Sequence, residues 1–210
     1  MRRLLIGLSV AAFALFASAG VASAAPGQTI KFKFHGPFAD AAWFSSNPDN
    51  TVQISTFVQV VQSELLADQF TANFDTSGNF SGGTDTFADV TSGFSFAIDK
   101  AQLTTGSASG SGIPATTCVI DANFNETCSP TTMDLAVDWT GQGPILREVA
   151  NDHIKLGLLH ESDHVNETDR PGTTATGTLS GSTLNPGDFQ FADLGFANSG
   201  TTILCIGNSC

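Results

Sequence analysis

Apolar and polar residues alternate with a period of two along most of the chain beyond residue 30. This alternation is typical of β-strands that bury one face and expose the other. Gly36-Pro37 and Gly141-Gln142-Gly143-Pro144 interrupt the pattern and predict turns. Ser63–Phe70 could also form a helix, although one too short to be stable alone. The apolar positions of the predicted strands are Ile30, Phe32 and Phe34; Val52, Ile54, Val58 and Val60; Phe94, Phe96 and Ile98; Met133, Leu135, Val137 and Trp139; Phe189 and Phe191; and Ile203 and Cys205.

These strands predict an all-β fold, a single antiparallel β-sandwich of the jelly-roll or immunoglobulin-like type that forms one domain over residues 25–210. The chain contains 17 Phe, 2 Trp and no Tyr. A buried Phe ring needs no hydrogen-bond partner, whereas a buried Tyr hydroxyl does. We therefore expect phenylalanine rings to fill the gap of about 10 Å between the two sheets.

The first 24 residues have the composition of a cleaved signal peptide. Arg2 and Arg3 provide a positive start, an apolar run follows, and Ala22-Ser23-Ala24 supplies the small residues before the cleavage point. This segment predicts export, a mature chain that begins at Ala25, and no membrane insertion after cleavage. We expect the protein to be secreted and extracellular.

The charge balance restricts the partners of the chain. Lys and Arg number 8 against 20 Asp and Glu, for a formal net charge of −12, and loss of Arg2 and Arg3 with the signal would bring it to −14. Binding to nucleic acid or anionic lipid depends on clustered cations, which this chain lacks. We expect no nucleic-acid partner, and the oligomeric state stays open.

Four cysteines suit an oxidising compartment. Cys118 and Cys128 are ten residues apart, and Cys205 and Cys210 are five apart. Four cysteines allow three pairings, of which the two local ones close the shortest loops. A zinc site of four thiolates uses pairs two to four residues apart, which neither pair matches. We expect two structural disulfides.

His160-Glu161-Ser162-Asp163-His164 matches the HExxH pattern of zinc peptidases, in which two His on a helix bind the metal and Glu activates its water. A zinc-dependent hydrolase that uses His160, Glu161 and His164 is therefore one hypothesis. Nearby Gly157 and Pro171-Gly172 favour strands instead, and in a strand the two His lie about 13 Å apart. The same segment could hold an adventitious divalent metal at a surface His/Asp/Glu cluster. Otherwise we expect no cofactor.

Other catalytic patterns are missing from the sequence. Gly106-Ser107-Ala108-Ser109-Gly110 has Ala where a nucleophile elbow needs Ser, and no phosphate-binding loop occurs. Asp85 to Asp89 and Asn47 to Asn50 lack the ligand spacing of an EF-hand. Without Tyr, and with Trp139 on an apolar strand face, the chain gives little indication of a sugar-binding platform. The sequence thus favours a non-catalytic, extracellular or surface-associated binding protein over a zinc hydrolase or a structural assembly subunit.

The segments Cys118-Val119-Ile120-Asp121-Ala122-Asn123-Phe124-Asn125 to Cys128 and Val137-Asp138-Trp139-Thr140-Gly141-Gln142-Gly143-Pro144 resemble a group of small secreted bacterial β-proteins without an assigned function. Thr174-Ala175-Thr176-Gly177-Thr178 and the cysteine-containing C-terminus fit the same group. The resemblance covers roughly the C-terminal half of the mature chain. It implies a β-fold and a secreted location, and it implies no activity.

Overall fold

A computed structural model describes residues 29–61, 63–156, 159–184 and 189–206. The signal peptide predicted over residues 1–24 lies outside these ranges. The described chain consists of strands and turns, with no helix, so the predicted all-β class is confirmed. No helix long and apolar enough to cross a membrane occurs in this part of the chain. The strands are β1 (Thr29–Ser46), β2 (Val52–Val61), β3 (Glu64–Phe74), β4 (Phe80–Val90), β5 (Ser95–Ile98), β6 (Thr105–Asp121), β7 (Glu126–Thr140), β8 (Leu146–Leu156), β9 (Leu159–Asp169), β10 (Thr174–Leu179), β11 (Ser182–Leu184) and β12 (Phe189–Ile206).

The strands form one antiparallel sheet of 12 strands in the order β11-β10-β7-β6-β4-β3-β2-β1-β12-β9-β8, and β5 pairs with β6. The segment that could have been a helix, Ser63–Phe70, lies almost entirely within β3, whose residues alternate between the two faces of the sheet. The turn predicted at Gly36-Pro37 is wrong. Strand β1 continues through both residues to Ser46, because Gly36 takes a φ of 134° that other residues rarely adopt.

The chain separates into two compact units. The larger one comprises His35–Arg147 and Glu167–Ala197, and the smaller one comprises the described residues of Met1–Phe34, Glu148–Asn166 and Asn198–Cys210. Strands β1, β8, β9 and β12 each contribute residues to both units. That the mature chain forms one domain stays a prediction.

Alternating apolar residues build the core of the larger unit. On β7, Met133, Leu135, Val137 and Trp139 are all buried, as their spacing predicts. The indole nitrogen Nε1 of Trp139 donates a buried hydrogen bond of 2.8 Å to the carbonyl oxygen of Asp40 on β1. In the sheet order, β6, β4, β3 and β2 separate these two strands. Apolar faces of strands that are distant in the sheet therefore pack against each other.

Phenylalanine does not fill this core, which corrects the expectation from composition. Among the residues whose burial the structure describes, no Phe is buried, and Phe44, Phe87 and Phe124 are exposed. Small and aliphatic side chains take the interior instead, together with Trp43 and Trp139. Phe94 and Phe96 are partly buried and pack against this core.

The hairpins β3–β4 and β6–β7 are closed by two turns that have the same hydrogen-bond pattern. In the first, Asp75 Oδ1 accepts hydrogen bonds from the backbone N–H groups of Ser77 and Asn79, at 2.8 and 2.9 Å. In the second, Asp121 Oδ1 accepts the equivalent bonds from Asn123 and Asn125, also at 2.8 and 2.9 Å. The side chain of Asn125 also donates to Asp121 and that of Asn79 to Asp75, and these side-chain bonds together with the backbone bonds lower the pKa of both aspartates. Each turn thereby fixes the register of its hairpin.

Candidate binding surface

The HExxH match lies on strand β9 (Leu159–Asp169), and no helix presents it. His164 is exposed, and its Nδ1 forms a hydrogen bond with Asn151 Oδ1. The side chains of His160 and Glu161 lie outside what the structure describes. Residues four apart on a strand are separated by about 13 Å, so the strand does not give the motif the helical geometry of a zinc peptidase.

The predicted disulfide between Cys118 and Cys128 is confirmed, and it joins directly paired positions of β6 and β7. The side chain of Cys205 and the whole of Cys210 fall outside the described residues, so their bond stays a prediction. Cys118, Cys128 and Glu126 form the one group of potential metal ligands found close together in the described part of the chain. Both sulfur atoms of that group are already used in the disulfide.

Phenylalanine and aspartate side chains share one face of the sheet across β1 to β4. Strand register places Phe44, Ser55, Phe70 and Asp85 in one row. Directly paired residues of neighbouring strands project from the same face, and so do residues two apart on one strand. The next row contains Phe57, Asp68 and Phe87, again in register. We call these six side chains the phenylalanine–aspartate face: Phe44, Phe57, Asp68, Phe70, Asp85 and Phe87.

A shallow open depression of about 300 Å³ lies at one end of this face. Phe44 and Phe70 form its apolar walls, and Gln53 and Ser55 contribute polar groups. The side chain of Phe44 is 45% exposed and that of Phe87 is 37% exposed. The depression offers apolar surface to a ligand, together with a few groups that can form hydrogen bonds.

Asp68 and Asp85 form a carboxyl pair within the face. They lie on adjacent strands at diagonal positions, because Asp68 pairs with Phe87 and Asp85 pairs with Phe70. Burial of Asp68, followed by its hydrogen bond to Asp85 and the repulsion between the two groups, raises the pKa of Asp68 to about 8. Asp68 therefore holds a proton at neutral pH.

The aromatic surface continues beyond the depression to the β6–β7 turn. The rings of Phe70 and Phe80 both lie 3.5 Å from the position that a Cβ would occupy on Gly83. Phe80 stacks on Phe124, with ring centroids 4.8 Å apart and planes 10° apart. Phe124 is 72% exposed. A strip of phenyl rings thus runs from Phe44 to Phe124.

A second group of carboxylates is buried in the larger unit. Asp40 is 3% exposed and Asp169 is 4% exposed, and Asp193 is half-buried. Burial raises the pKa of Asp40 to about 7, although a hydrogen bond from the backbone N–H of Asp193 acts to lower that pKa. Burial and the charges of Asp40 and Asp169 raise the pKa of Asp193 to about 9. Within the described part of the chain, the carboxyl oxygens of these three are not all close enough together to hold one ion.

Sequence reasoning missed the phenylalanine–aspartate face, although the sequence carries a sign of it. Asp68-Gln69-Phe70 on β3 and Asp85-Thr86-Phe87 on β4 repeat the same Asp-x-Phe order. On two neighbouring antiparallel strands, that repeat creates a checkerboard of acids and rings. It becomes visible only once the two strands are paired in the correct register.

Comparison with known proteins yields no relative. No protein-family model matches the chain, and neither a curated protein nor a solved structure shows significant similarity to it. The resemblance to small secreted bacterial β-proteins therefore stays an expectation.

Proposed function

We propose that this chain is an exported, extracellular protein without catalytic activity, which binds a partner through the phenylalanine–aspartate face. Residues 1–24 support export, and the Cys118–Cys128 disulfide suits an oxidising compartment. We further propose that the sheet folds over itself into the two layers of a β-sandwich. The bond between Trp139 on β7 and Asp40 on β1 supports that arrangement.

The observation that carries the binding proposal is the exposure of phenylalanine beside an open depression. Leaving a Phe side chain in water instead of burying it forgoes about 1.5 to 3 kcal/mol. Contiguous exposed apolar patches on soluble proteins mark sites of interaction. Phe44, Phe70 and Phe87 lie on one face of the sheet with polar groups between them, which is the composition of such a site.

Phe124 provides independent support. It occupies the fourth position of its turn, where the matched β3–β4 turn has Gly78, and both residues have positive φ, 62° and 81°. A non-glycine residue in this conformation costs about 1 kcal/mol. The backbone conformation alone favours glycine here. The exposed ring that Phe124 adds to the aromatic strip accounts for the choice.

The alternative hydrolase would use His160, Glu161 and His164, and strand β9 does not present them in the required way. An assembly subunit is a further alternative. Contact between two copies of the phenylalanine–aspartate face would bring like charges together, which is unfavourable. No particular feature of the described residues favours either alternative.

The test uses purified residues 25–210 on a biosensor surface, exposed to panels of peptides and polysaccharides. We expect at least one class of probe to be retained by the wild type and by Val119→Ser, and lost in Phe44→Ser/Phe87→Ser. Val119 is a matched control because it is 56% exposed and pairs with Thr84, on the opposite face from Asp85. Turnover of any retained probe, or retention that the Phe substitutions leave unchanged, would overturn the proposal.

A further inference from the structure

The phenylalanine–aspartate face combines apolar surface with negative charge and has no nearby lysine or arginine in the sequence. Residues 35–99, which supply its strands, contain eight acidic residues and neither Lys nor Arg. An acidic partner would meet unfavourable charge, and so would a second copy of this chain, whose formal net charge is −12. Charge complementarity favours a cationic partner.

The carboxyl groups lie among rings in a way that suits an organic cation. Asp68 is flanked in its row by Phe57 on β2 and Phe87 on β4, and Asp85 is paired with Phe70 on β3. A Lys ammonium or Arg guanidinium is attracted both to the face of an aromatic ring and to a carboxylate. The apolar stem of either side chain can pack against the rings while the charged head reaches the acid.

The row from Phe44 to Asp85 has the length of a short extended peptide. It crosses three strand spacings, about 14 Å. Every second residue of an extended peptide projects to the same side, at intervals of about 6.8 Å. Three such residues therefore span the row, with apolar side chains over Phe44 and Phe70, at the depression, and a basic side chain over Asp85. Gln53 and Ser55 line the same depression and can bond to the peptide backbone.

We propose that the face binds an extended basic polypeptide segment, in which apolar and lysine or arginine side chains occupy alternate positions on one side. This inference rests on the proposed function and specifies its partner. The partner's apolar side chains fill the depression between Phe44 and Phe70. Its cation pairs with Asp85 and Asp68.

Binding should release a proton. Asp68 holds a proton near neutral pH, because burial raises the pKa of its carboxyl group to about 8. A cation placed between the two groups favours the form in which both are ionised, so its affinity increases as the pH rises through 8. The remaining ionisable groups on this side of β1, β3 and β4 are Asp40, Glu64 and Asp89. Burial and the neighbouring Asp89 also raise the pKa of Glu64, so this second pair acts in the same direction.

The experiment measures binding of a short blocked peptide in which leucine and lysine alternate with serine, by titration calorimetry at low ionic strength. Two companion peptides carry serine or glutamate in place of lysine. We expect the lysine peptide to bind about tenfold more tightly than either companion. At pH 9, above the pKa of Asp68, Asp85→Asn and Asp68→Asn should each weaken it about fivefold to tenfold, and both variants should fold because each removes a repulsive charge.

Asp49→Asn is the matched control, because it removes one exposed carboxylate from the β1–β2 turn without touching the face. We expect it to change the affinity less than twofold. The wild-type affinity should increase between pH 6 and pH 9, and the increase should be smaller in Asp85→Asn. Calorimetry in buffers of different ionisation enthalpy measures the released proton directly.

Failure of this inference is distinct from failure of the binding proposal. If all three peptides bind equally and Phe44→Ser/Phe87→Ser abolishes their binding, the preference for a cationic partner is wrong. The face would then still be a binding site. If amino-sugar or neutral oligosaccharides bind through the same face while no peptide does, the partner class is wrong and the proposed function stands. If Asp49→Asn weakens binding of the lysine peptide as much as Asp85→Asn does, the binding depends on net charge alone. That result would also overturn the inference. If nothing binds through the face, both proposals fail.

Discussion

Replacing Asp40 with asparagine should make the protein more stable in alkaline solution and leave its stability in acid almost unchanged. Asp40 is 3% exposed, and burial raises its pKa from 3.8 to about 7. The folded chain therefore holds this proton more tightly than the unfolded chain. The corresponding stability is complete below about pH 4 and is lost as the pH rises toward and through 7.

The magnitude follows from the two pKa values. Each unit of difference corresponds to about 1.4 kcal/mol, so ionisation of Asp40 in the folded state lowers the free energy of unfolding by about 4 kcal/mol at high pH. Asn has nearly the shape of the protonated carboxyl group. Its oxygen can still accept the N–H of Asp193 and the Gln59 side-chain bond. We expect Asp40→Asn to gain about 2 to 4 kcal/mol at pH 9 and less than about 1 kcal/mol at pH 4.

The assay is urea unfolding of residues 25–210 at pH 4, 6, 8 and 9, for the wild type, Asp40→Asn and Asp49→Asn. The wild type should lose most of this stability between pH 4 and pH 8, and Asp40→Asn should lose markedly less over the same interval. Asp49→Asn, which lies in an exposed turn, should follow the wild type. Parallel curves for the wild type and Asp40→Asn would refute the reasoning, because Asp40 would then be ionised in the folded protein without penalty.

Further predictions concern stability. Replacing both Cys118 and Cys128 with Ser should lower the free energy of unfolding by about 2 to 3 kcal/mol, measured by urea unfolding against the oxidised wild type, and no change would mean that the bond adds nothing. Trp139→Phe removes the buried hydrogen bond to the carbonyl oxygen of Asp40 and leaves a cavity in the core, so it should cost about 2 to 4 kcal/mol; thermal unfolding close to that of the wild type would contradict this. Phe124→Gly should change stability by less than about 1 kcal/mol, because relief of the positive φ offsets the lost ring stacking. A larger loss would show that the ring serves folding.

Period-two alternation predicted the strand content because burial on one face leaves a direct trace in the order of residues. Met133 to Trp139 on β7 and Val58 and Val60 on β2 are buried as that pattern predicts. Strand β1 was cut short in the prediction because Gly36 and Pro37 usually mark a turn. Only the fold shows that the strand passes through them. The local cysteine pairing was predictable because Cys118 and Cys128 close a short hairpin.

The distribution of phenylalanine could not be predicted in this way. The hydrophobicity of a phenyl ring indicates that its burial would lower the free energy. It does not indicate which face of a strand points into the core. On β3, Leu65 and Ala67 point into the core, so Asp68 and Phe70 share the other side. The binding surface arises from strand register, and register depends on pairing between distant parts of the chain. A motif search finds residues 160–164 first because they are contiguous, whereas the phenylalanine–aspartate face is not.

The most direct test of the account is an NMR titration of the wild type with the lysine-containing peptide, in which backbone amide shifts identify the residues that contact it. We predict that the shifts concentrate at residues 53–57, 68–72 and 85–87. The same titration of Phe44→Ser/Phe87→Ser should leave those signals unmoved. Shifts concentrated at residues 159–169 instead, or no shifts on β2, β3 and β4 at saturating peptide, would contradict the central claim that this face is the binding site.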